Sequence, residues 1–291
     1  MFGTKEPFDY FECAGCGVLQ ICEVPADLSR HYPREYYAHV PPQVRPGPSV
    51  RRTTRRLRLR ISLSLGMRML SPLSDNYAWV EQARVGPSSR ILDVGCGAGR
   101  LLLKLHELGF LHLEGVDPFV DAELKYGNGV HIHKMQLHEM EGAYDLVMAH
   151  HSLEHVPDPN AILREMARLC VPGGAVLLRV PLTGKYAWRT YGTHWVQLDA
   201  PRHLFLFTHA GLEMLARQAG LTVKSVVYDS RGFQIWGSEQ YKQGYALEGM
   251  HKPRKPLFSA DELATFEEQA AALNAREDGD QASYLLEKPK D

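Results

Sequence analysis

The run Ile91-Leu92-Asp93-Val94-Gly95-Cys96-Gly97-Ala98-Gly99-Arg100 constrains the fold of this chain more than any other stretch. Its apolar start reads as a buried strand, its glycines as a tight turn, and the residues after them as the first turn of a helix. Strand, glycine turn and helix in that order belong to an α/β layer. The spacing is D-x-G-x-G-x-G, whereas a dinucleotide fingerprint would need a glycine at position 100, where Arg100 stands. Glycines at alternate positions remove Cβ atoms and permit positive φ, so a ligand can lie against bare backbone at the helix N-terminus. Asp93 falls at the strand end, where its carboxylate can accept loop amides or meet the cationic end of a ligand. That suits a sulfonium amino acid better than a pyrophosphate, which a carboxylate repels.

From about residue 75 onward, strand and helix patterns alternate. Strands are expected near 89–93, 112–116, 130–134, 144–149 and 175–180, and helices near 75–84, 99–108, 119–126 and 160–170, the last stopped by Pro172-Gly173-Gly174. Thr208 and Gly220 bracket a further helix, as N-cap and C-terminal glycine, before a strand from Leu221 to Tyr228. A helix near 259–275 and a last strand from Ala282 to Glu287 complete a domain spanning 75–291. Ahead of it lie residues 1–40, holding Cys13, Cys16 and Cys22 with interleaved tyrosines and histidines, and a Pro-rich then Arg-rich segment at 41–74, expected as a linker or helix. Arg51 to Arg60 read either as a solvated linker or as a basic face for peripheral contact with acidic lipid head groups. The insertion at 231–258, with Trp236, Tyr241 and Tyr245 among glycines and prolines, is expected to be a loop-rich lid, closing with the N-terminal tyrosines over the ligand.

With 44% hydrophobic residues, 23% charged residues and a formal net charge of -1, nothing in the bulk charge favours a polyanion, so no specific nucleic-acid partner is expected. No apolar run reaches the ~18 residues a membrane span needs and no leader pattern opens the chain, which points to a cytoplasmic enzyme. Five cysteines are an odd number for a disulfide framework.

A second acid closes the next strand in Leu113-Glu114-Gly115-Val116-Asp117-Pro118, placing Asp117 where a ribose diol would bind or where it would cap the following segment. Gln136 and Leu137 come after the third strand, positions from which an apolar and a polar side chain can meet an adenine. Together with Tyr144 to Pro159, which contains Glu154-His155-Val156-Pro157, and Leu169 to Gly174, these motifs resemble class I S-adenosylmethionine (SAM)-dependent methyltransferases. The resemblance covers about 85–230 and is to the broad group that includes the ubiquinone and menaquinone biosynthesis methyltransferases and many small-molecule and sugar methyltransferases. It implies a Rossmann-like, seven-stranded, mostly parallel sheet with helices on both faces and an antiparallel final hairpin. It implies SAM as cofactor, held by Asp93, Gly95, Cys96, Gly97, Gly99, Asp117, Pro118, Gln136, Leu137 and His150.

Methyl transfer from a sulfonium is an in-line displacement, so a hydroxyl acceptor needs positioning and a base. His155 lies just past the fourth strand's carboxyl end, where ligands of open α/β sheets bind, and is the first candidate; the alternative is that it packs the next helix. His194, Asp199 and His203 form a second candidate group, in a block that resembles one found after the fifth strand of many of these enzymes, and Arg202 could hold an anionic substrate group. A divalent metal on Glu154 and His155, by analogy with some quinone methyltransferases, is set against His151, which stands where a carboxylate is expected; no metal is expected there. The N-terminal Cys13-Ala14-Gly15-Cys16 is similar to one knuckle of a zinc ribbon. Cys13, Cys16, Cys22 and His31 could complete four ligands, or the segment could be a metal-free remnant. The expected activity is O-methylation of a small-molecule, sugar, glycan-intermediate or lipid-linked acceptor; alternatives are C- or N-methylation of a small metabolite, or a noncatalytic SAM-binding scaffold.

Overall fold

The computed structural model describes residues 6–32, 40–42, 53, 54, 57, 58, 61, 78–248, 253 and 255–290. Of Arg51 to Arg60 only Thr53, Thr54, Leu57 and Arg58 are described, and the expectations for the other arginines of that stretch and for most of 41–74 lie outside the described residues.

A hairpin opens the chain, β1 (Tyr10–Glu12) against β2 (Leu19–Ile21). After α1 (Ala78–Gln82) come β3 (Arg90–Val94), α2 (Arg100–Leu108), β4 (His112–Val116), β5 (Leu124–Lys125), β6 (His131–His133) and β7 (Tyr144–His150). Next are α3 (Pro159–Leu169), β8 (Cys170–Pro181), α4 (Tyr186–Tyr191), β9 (Phe205–Leu206), α5 (His209–Gln218), β10 (Thr222–Tyr228), α6 (Gly232–Lys242), α7 (Ala260–Ala275) and β11 (Gln281–Glu287).

Eight strands form one sheet in the order β10-β11-β8-β7-β3-β4-β6-β5. Its centre is parallel, and β11 runs antiparallel between β8 and β10, the reversed hairpin that the resemblance implies. The central strands are apolar on both faces because helices cover both. Leu92, Val147 and Leu178 pack with α3 and α5 on one side, and Ile91, Leu146 and Leu177 with α1 and α2 on the other. Each such fully buried aliphatic side chain is worth roughly 2 kcal/mol of apolar transfer. Helix starts obey the local chemistry: Asp158 Oδ1 accepts the Ala161 N–H at 2.9 Å ahead of Pro159, and Thr208 Oγ1 accepts that of Gly211 at 3.0 Å.

Two expectations need correction. The segment 119–126 is not a helix. The Asp117 carboxylate takes the Phe119 N–H at 2.8 Å and turns the chain, and Tyr126 N–H to Val130 O (2.9 Å) closes a hairpin over the two glycines, Gly127 and Gly129. β5 therefore becomes an eighth, antiparallel edge strand beside β6. The insertion at 231–258 is not loop-rich throughout, because α6 occupies its first half and buries Ile235 against Trp195 and Leu273.

Chain order reverses about β3, from which the sheet grows through β4 on one side and β7 on the other. The crevice beyond the carboxyl ends of β3, β4 and β7 is where such sheets bind ligands. The N-terminal hairpin joins β9 in a second, three-stranded sheet. The segment leading to β9 is anchored at Trp195, whose Nε1–H donates to Asp280 Oδ2 at 2.6 Å. Burial pushes the Asp280 carboxyl up to about 6 despite this bond and one from Ser230. An acid that binds its proton more tightly when folded contributes stability that is complete below its unfolded value of 3.8 and lost as pH rises through about 6. Urea denaturation should therefore show the stability of the wild type relative to Asp280→Asn falling by up to about 3 kcal/mol between pH 4 and 7. A difference that stays flat over that range would contradict the assignment.

Candidate functional site

The β3–α2 turn is shaped by contacts that admit no side chain. Gly95 has φ +70°, and a Cβ there would stand 2.5 Å from Ser152 Cβ; Gly99 has φ +74°, and its Cβ would meet Ile132 Cδ1 at 2.6 Å. Both turn residues are thus glycine on two counts, handedness and space. Asp117, at the end of β4, reaches across so that its Oδ2 accepts the Gly97 N–H at 2.8 Å while Oδ1 takes that of Phe119. Each oxygen keeps a second lone pair for a ligand hydroxyl, so the capping and ribose-binding roles are compatible. Cys96 packs in the turn with its thiol pushed well up by burial, which makes it a wall and not a nucleophile.

Asp93 lies buried at the end of β3. Burial, then the neighbouring Asp117, raises its carboxyl well above the ordinary range. A cleft with two acids and bare amides fits SAM, which carries positive charge and a ribose diol. Asp93, the Gly95–Gly99 turn and Asp117 would hold it. Of the other expected cofactor residues, Pro118 is next to Asp117, Gln136 is exposed after β6, and Leu137 is buried beside it. His150 ends β7 with its ring 5.2 Å from that of Trp79 and its Nε2 buried without a hydrogen-bond partner. Burial, with Arg179 and His151 adding, holds it down at about 3, so it is neutral at physiological pH.

Next to this cleft the chain turns through Ser152, whose Oγ donates to Val94 O at 2.9 Å. The turn then presents Glu154 and His155. A segment some fifty residues further on delivers His203 to the same place: one donor atom each from Glu154, His155 and His203 lie within 4.8 Å of one another. Glu154 is 0% exposed, and neither carboxylate oxygen has a hydrogen-bond partner. His151 Nδ1 stands 3.3 Å from Oε1, at ion-pair distance. Burial would raise the Glu154 carboxyl, but His151, His155 and His203 outweigh it and bring it to about 2. Both nearby rings are oriented by backbone: His155 Nδ1 is 2.8 Å from Arg202 O and His203 Nδ1 is 2.6 Å from Gln197 O. Since a carbonyl only accepts, each Nδ1 carries the hydrogen. Burial, together with the weaker effect of His155, lowers His203 to about 4.

The expected second group is only partly assembled. Asp199 is buried and pairs with Arg202, and its Oδ2 lies 3.9 Å from His203 Nε2. His194 is exposed in a separate turn and is not brought to the cluster. Arg202, offered as a substrate anchor, is buried and its charge is met by Asp199. Three tyrosines border the group, Tyr241 from the insertion expected as a lid and Tyr10 and Tyr32 from the N-terminal segment expected to close with it. Tyr10 donates to His203 O at 2.7 Å, and Tyr32 places its hydroxyl 3.4 Å from His155 Nδ1 and its ring 5.3 Å from Arg202 Cζ. Tyr241 on α6 has a buried hydroxyl without a hydrogen-bond partner, kept protonated by burial and then by Asp199. At the N-terminus, Cys13 and Cys16 sit on the β1–β2 turn and Cys22 beyond β2; among the described residues these cysteines and His31 do not converge on one point.

Fold and site together define a class I SAM-dependent methyltransferase. The chain belongs to the methyltransferase-domain family, whose profile matches residues 52–226. It is 30% identical over 177 residues to a ubiquinone biosynthesis O-methyltransferase of Pseudomonas aeruginosa, and 32% over 178 residues to one of Pseudomonas fluorescens; each match spans 54% of this chain and 74% of the relative. Among solved structures it resembles a SAM-dependent methyltransferase from Mesorhizobium loti at TM-score 0.46 and 14% identity, covering 74% of this chain and 98% of that one. It also resembles a mycolic acid cyclopropane synthase complexed with S-adenosylhomocysteine, at TM-score 0.48 and 16% identity, with coverages of 73% and 84%.

Replacing Gly95 by Ala forces a left-handed alanine into Ser152, a strain of about 1–3 kcal/mol. Calorimetric titration should show SAM affinity reduced at least ~10-fold, an affinity cost of about 1.4 kcal/mol, with the thermal midpoint also lowered. Unchanged affinity in the folded variant would place the cofactor elsewhere.

Proposed function

We propose that the protein methylates a hydroxyl oxygen of a small molecule, with His155 taking the proton, Glu154 stabilising the resulting charge and His203 positioning the pair. The observation that carries this reading is the gathering of Glu154 and His155, on the turn that Ser152 fastens to the end of β3, with His203 from the segment leading to β9. Bound SAM supplies an activated methyl group, which leaves the protein to position the acceptor and remove its proton. With Nδ1–H given to the Arg202 carbonyl, His155 presents Nε2 as the free base. Buried Glu154 stabilises the imidazolium that forms. His203, at about 4, is too weak a base for neutral pH and serves to position. Asp199, committed to Arg202, steadies the segment that carries His203, and exposed His194 has no part in the proton path. Methylation of carbon or nitrogen makes less demand on a base, and a noncatalytic scaffold makes none, so neither gives this cluster a use.

The ubiquinone O-methyltransferase relatives support oxygen as the acceptor atom, and phenols and sugars are the acceptor classes whose hydroxyls such a site would serve. Tyr10, Tyr32 and Tyr241, which lie outside the matched 52–226 and border Arg202 and His203, are read as walls of the acceptor side. No helix among the described residues is long and apolar enough to cross a membrane.

Incubation of the full chain with methyl-labelled SAM and a panel of catechols, phenols and sugars should label an oxygen. His155→Ala should lower kcat by about 10²–10⁴-fold, while calorimetry finds SAM affinity unchanged. Label on carbon or nitrogen alone, or full turnover by the variant, would overturn the reading.

A further inference from the structure

Cys13-Ala14-Gly15-Cys16 forms the turn that joins β1 to β2, a part of the chain without a role in methyl transfer. Two backbone bonds shape it, Gly17 N–H to Cys13 O at 2.7 Å and Cys13 N–H to Val18 O at 2.9 Å. The first is the i→i+4 bond of a single helical turn, on which residues three apart have Cβ atoms about 5–6 Å from each other. A disulfide spans Cα atoms up to about 7 Å apart, so Cys13 and Cys16 are placed to be joined with little backbone movement. Both thiols are half-buried and open to small reagents. The amides of Cys16 and Gly15, then the Cys16 thiol, point at the Cys13 sulfur and hold its pKa below the usual thiol range. Burial raises the Cys16 thiol instead. One sulfur is thereby prepared as a thiolate, with a thiol held beside it.

Nothing else in the hairpin competes for these sulfurs. Tyr10 faces Ile21 and Glu12 faces Leu19, so Cys22 lies opposite Asp9, whose carbonyl takes its N–H at 2.8 Å. Four residues of strand separate Asp9 from Cys13, roughly 13 Å at ~3.3 Å per residue. Cys96, in the cofactor turn, and Cys170, at the start of β8, have thiols pushed up by burial. Among the described residues no histidine, acid or third cysteine closes around the pair, so the four ligands of a tetrahedral metal shell are not gathered here.

We propose that Cys13 and Cys16 form a redox-active dithiol, oxidised by low-molecular-weight disulfides to an intramolecular disulfide and reduced again by dithiols. The Cys13 thiolate attacks one sulfur of the reagent, forming a mixed disulfide and expelling one reagent thiolate. Cys16 then gives up its proton and attacks the Cys13 sulfur, forming the Cys13–Cys16 bond and expelling the second. Two electrons pass from the cysteines to the reagent, which takes up two protons and leaves as two thiols. The turn is anchored close to the acceptor side, since Cys16 O accepts from Thr208 Oγ1 at 2.5 Å and β2 pairs with β9 immediately after His203 and Leu204. The exchange chemistry itself does not depend on the methyl acceptor.

The full chain, reduced and freed of metal with chelator, is equilibrated with mixtures of oxidised and reduced glutathione, quenched in acid, alkylated and mapped by peptide mass spectrometry. A Cys13–Cys16 disulfide should form while Cys96 and Cys170 stay free, and dithiothreitol should reverse it. Cys16→Ser should trap glutathione on Cys13, whereas Cys13→Ser should take glutathione on Cys16 at least ~10-fold more slowly. Disulfide formation in the native chain should also be at least ~10-fold faster than in the chain unfolded by guanidinium, where the turn's amides no longer face Cys13. Thermal melts establish that both single variants remain folded. Failure to form the Cys13–Cys16 bond, a disulfide formed with Cys22 instead, or equal rates in native and unfolded chain overturns the dithiol. Equal rates in the two variants overturn the assignment of Cys13 as the attacking sulfur.

Discussion

One backbone hydrogen bond brings together the Glu154, His155 and His203 cluster: Leu204 N–H to Glu154 O, 2.8 Å. It locks the segment ending in β9 against the turn after β7, and so fixes His203 beside Glu154 and His155. The same Leu204 accepts the Ile21 N–H through its carbonyl at 3.0 Å, and β2 continues the pairing along β9. Three parts of the chain, remote in sequence, are thereby held in register by peptide groups alone. Side chains then decorate the arrangement, with Tyr10 on the His203 carbonyl and Trp195 pinned to Asp280. Loss of register here would scatter the cluster even with every one of its residues intact.

The cofactor side depends on a different kind of constraint. Its geometry is local, made by a strand end, a glycine turn and the next strand end, within about twenty-five residues of sequence. Gly95 beneath Ser152 and Gly99 beneath Ile132 leave room for nothing larger, and Asp117 stitches Gly97 to the far strand. Because Ser152 both covers Gly95 and bonds to Val94, the two halves of the site share one hinge residue. Methyl transfer needs its reacting atoms aligned to within a fraction of an ångström, and one residue that ties the glycine turn to the Glu154–His155 turn holds the two at a fixed separation.

This contrast explains what could be read from the amino-acid sequence. The alternation of strands and helices from β3 to β8 was legible because buried parallel strands write a short apolar run between turn signals, and the glycine turn because only glycine satisfies it. The edge hairpin at Leu124–Lys125 was not, since a two-residue strand has no period, and the expected helix there yields to the Asp117 carboxylate and the Tyr126–Val130 turn. His155 and His203 were visible as titratable residues in promising blocks, but their meeting was not, because it depends on the Leu204–Glu154 bond across about fifty residues. Tyr32 and Tyr241 carry no pattern that separates them from packing tyrosines. His194 illustrates the opposite case: it stands in the same block as His203, yet its turn faces outward.

The electrostatics around Glu154, His155 and His203 set two buried acids apart. Asp199 has the Arg202 guanidinium, which itself stacks against Tyr32, so that pair is closed and nearly neutral. Glu154 has only imidazoles, of which His203 resists protonation through its own burial and His151 is the most open to solvent. The Glu154 charge is instead matched by His151, 3.3 Å away, an imidazole partner whose charge depends on pH as that of a guanidinium does not.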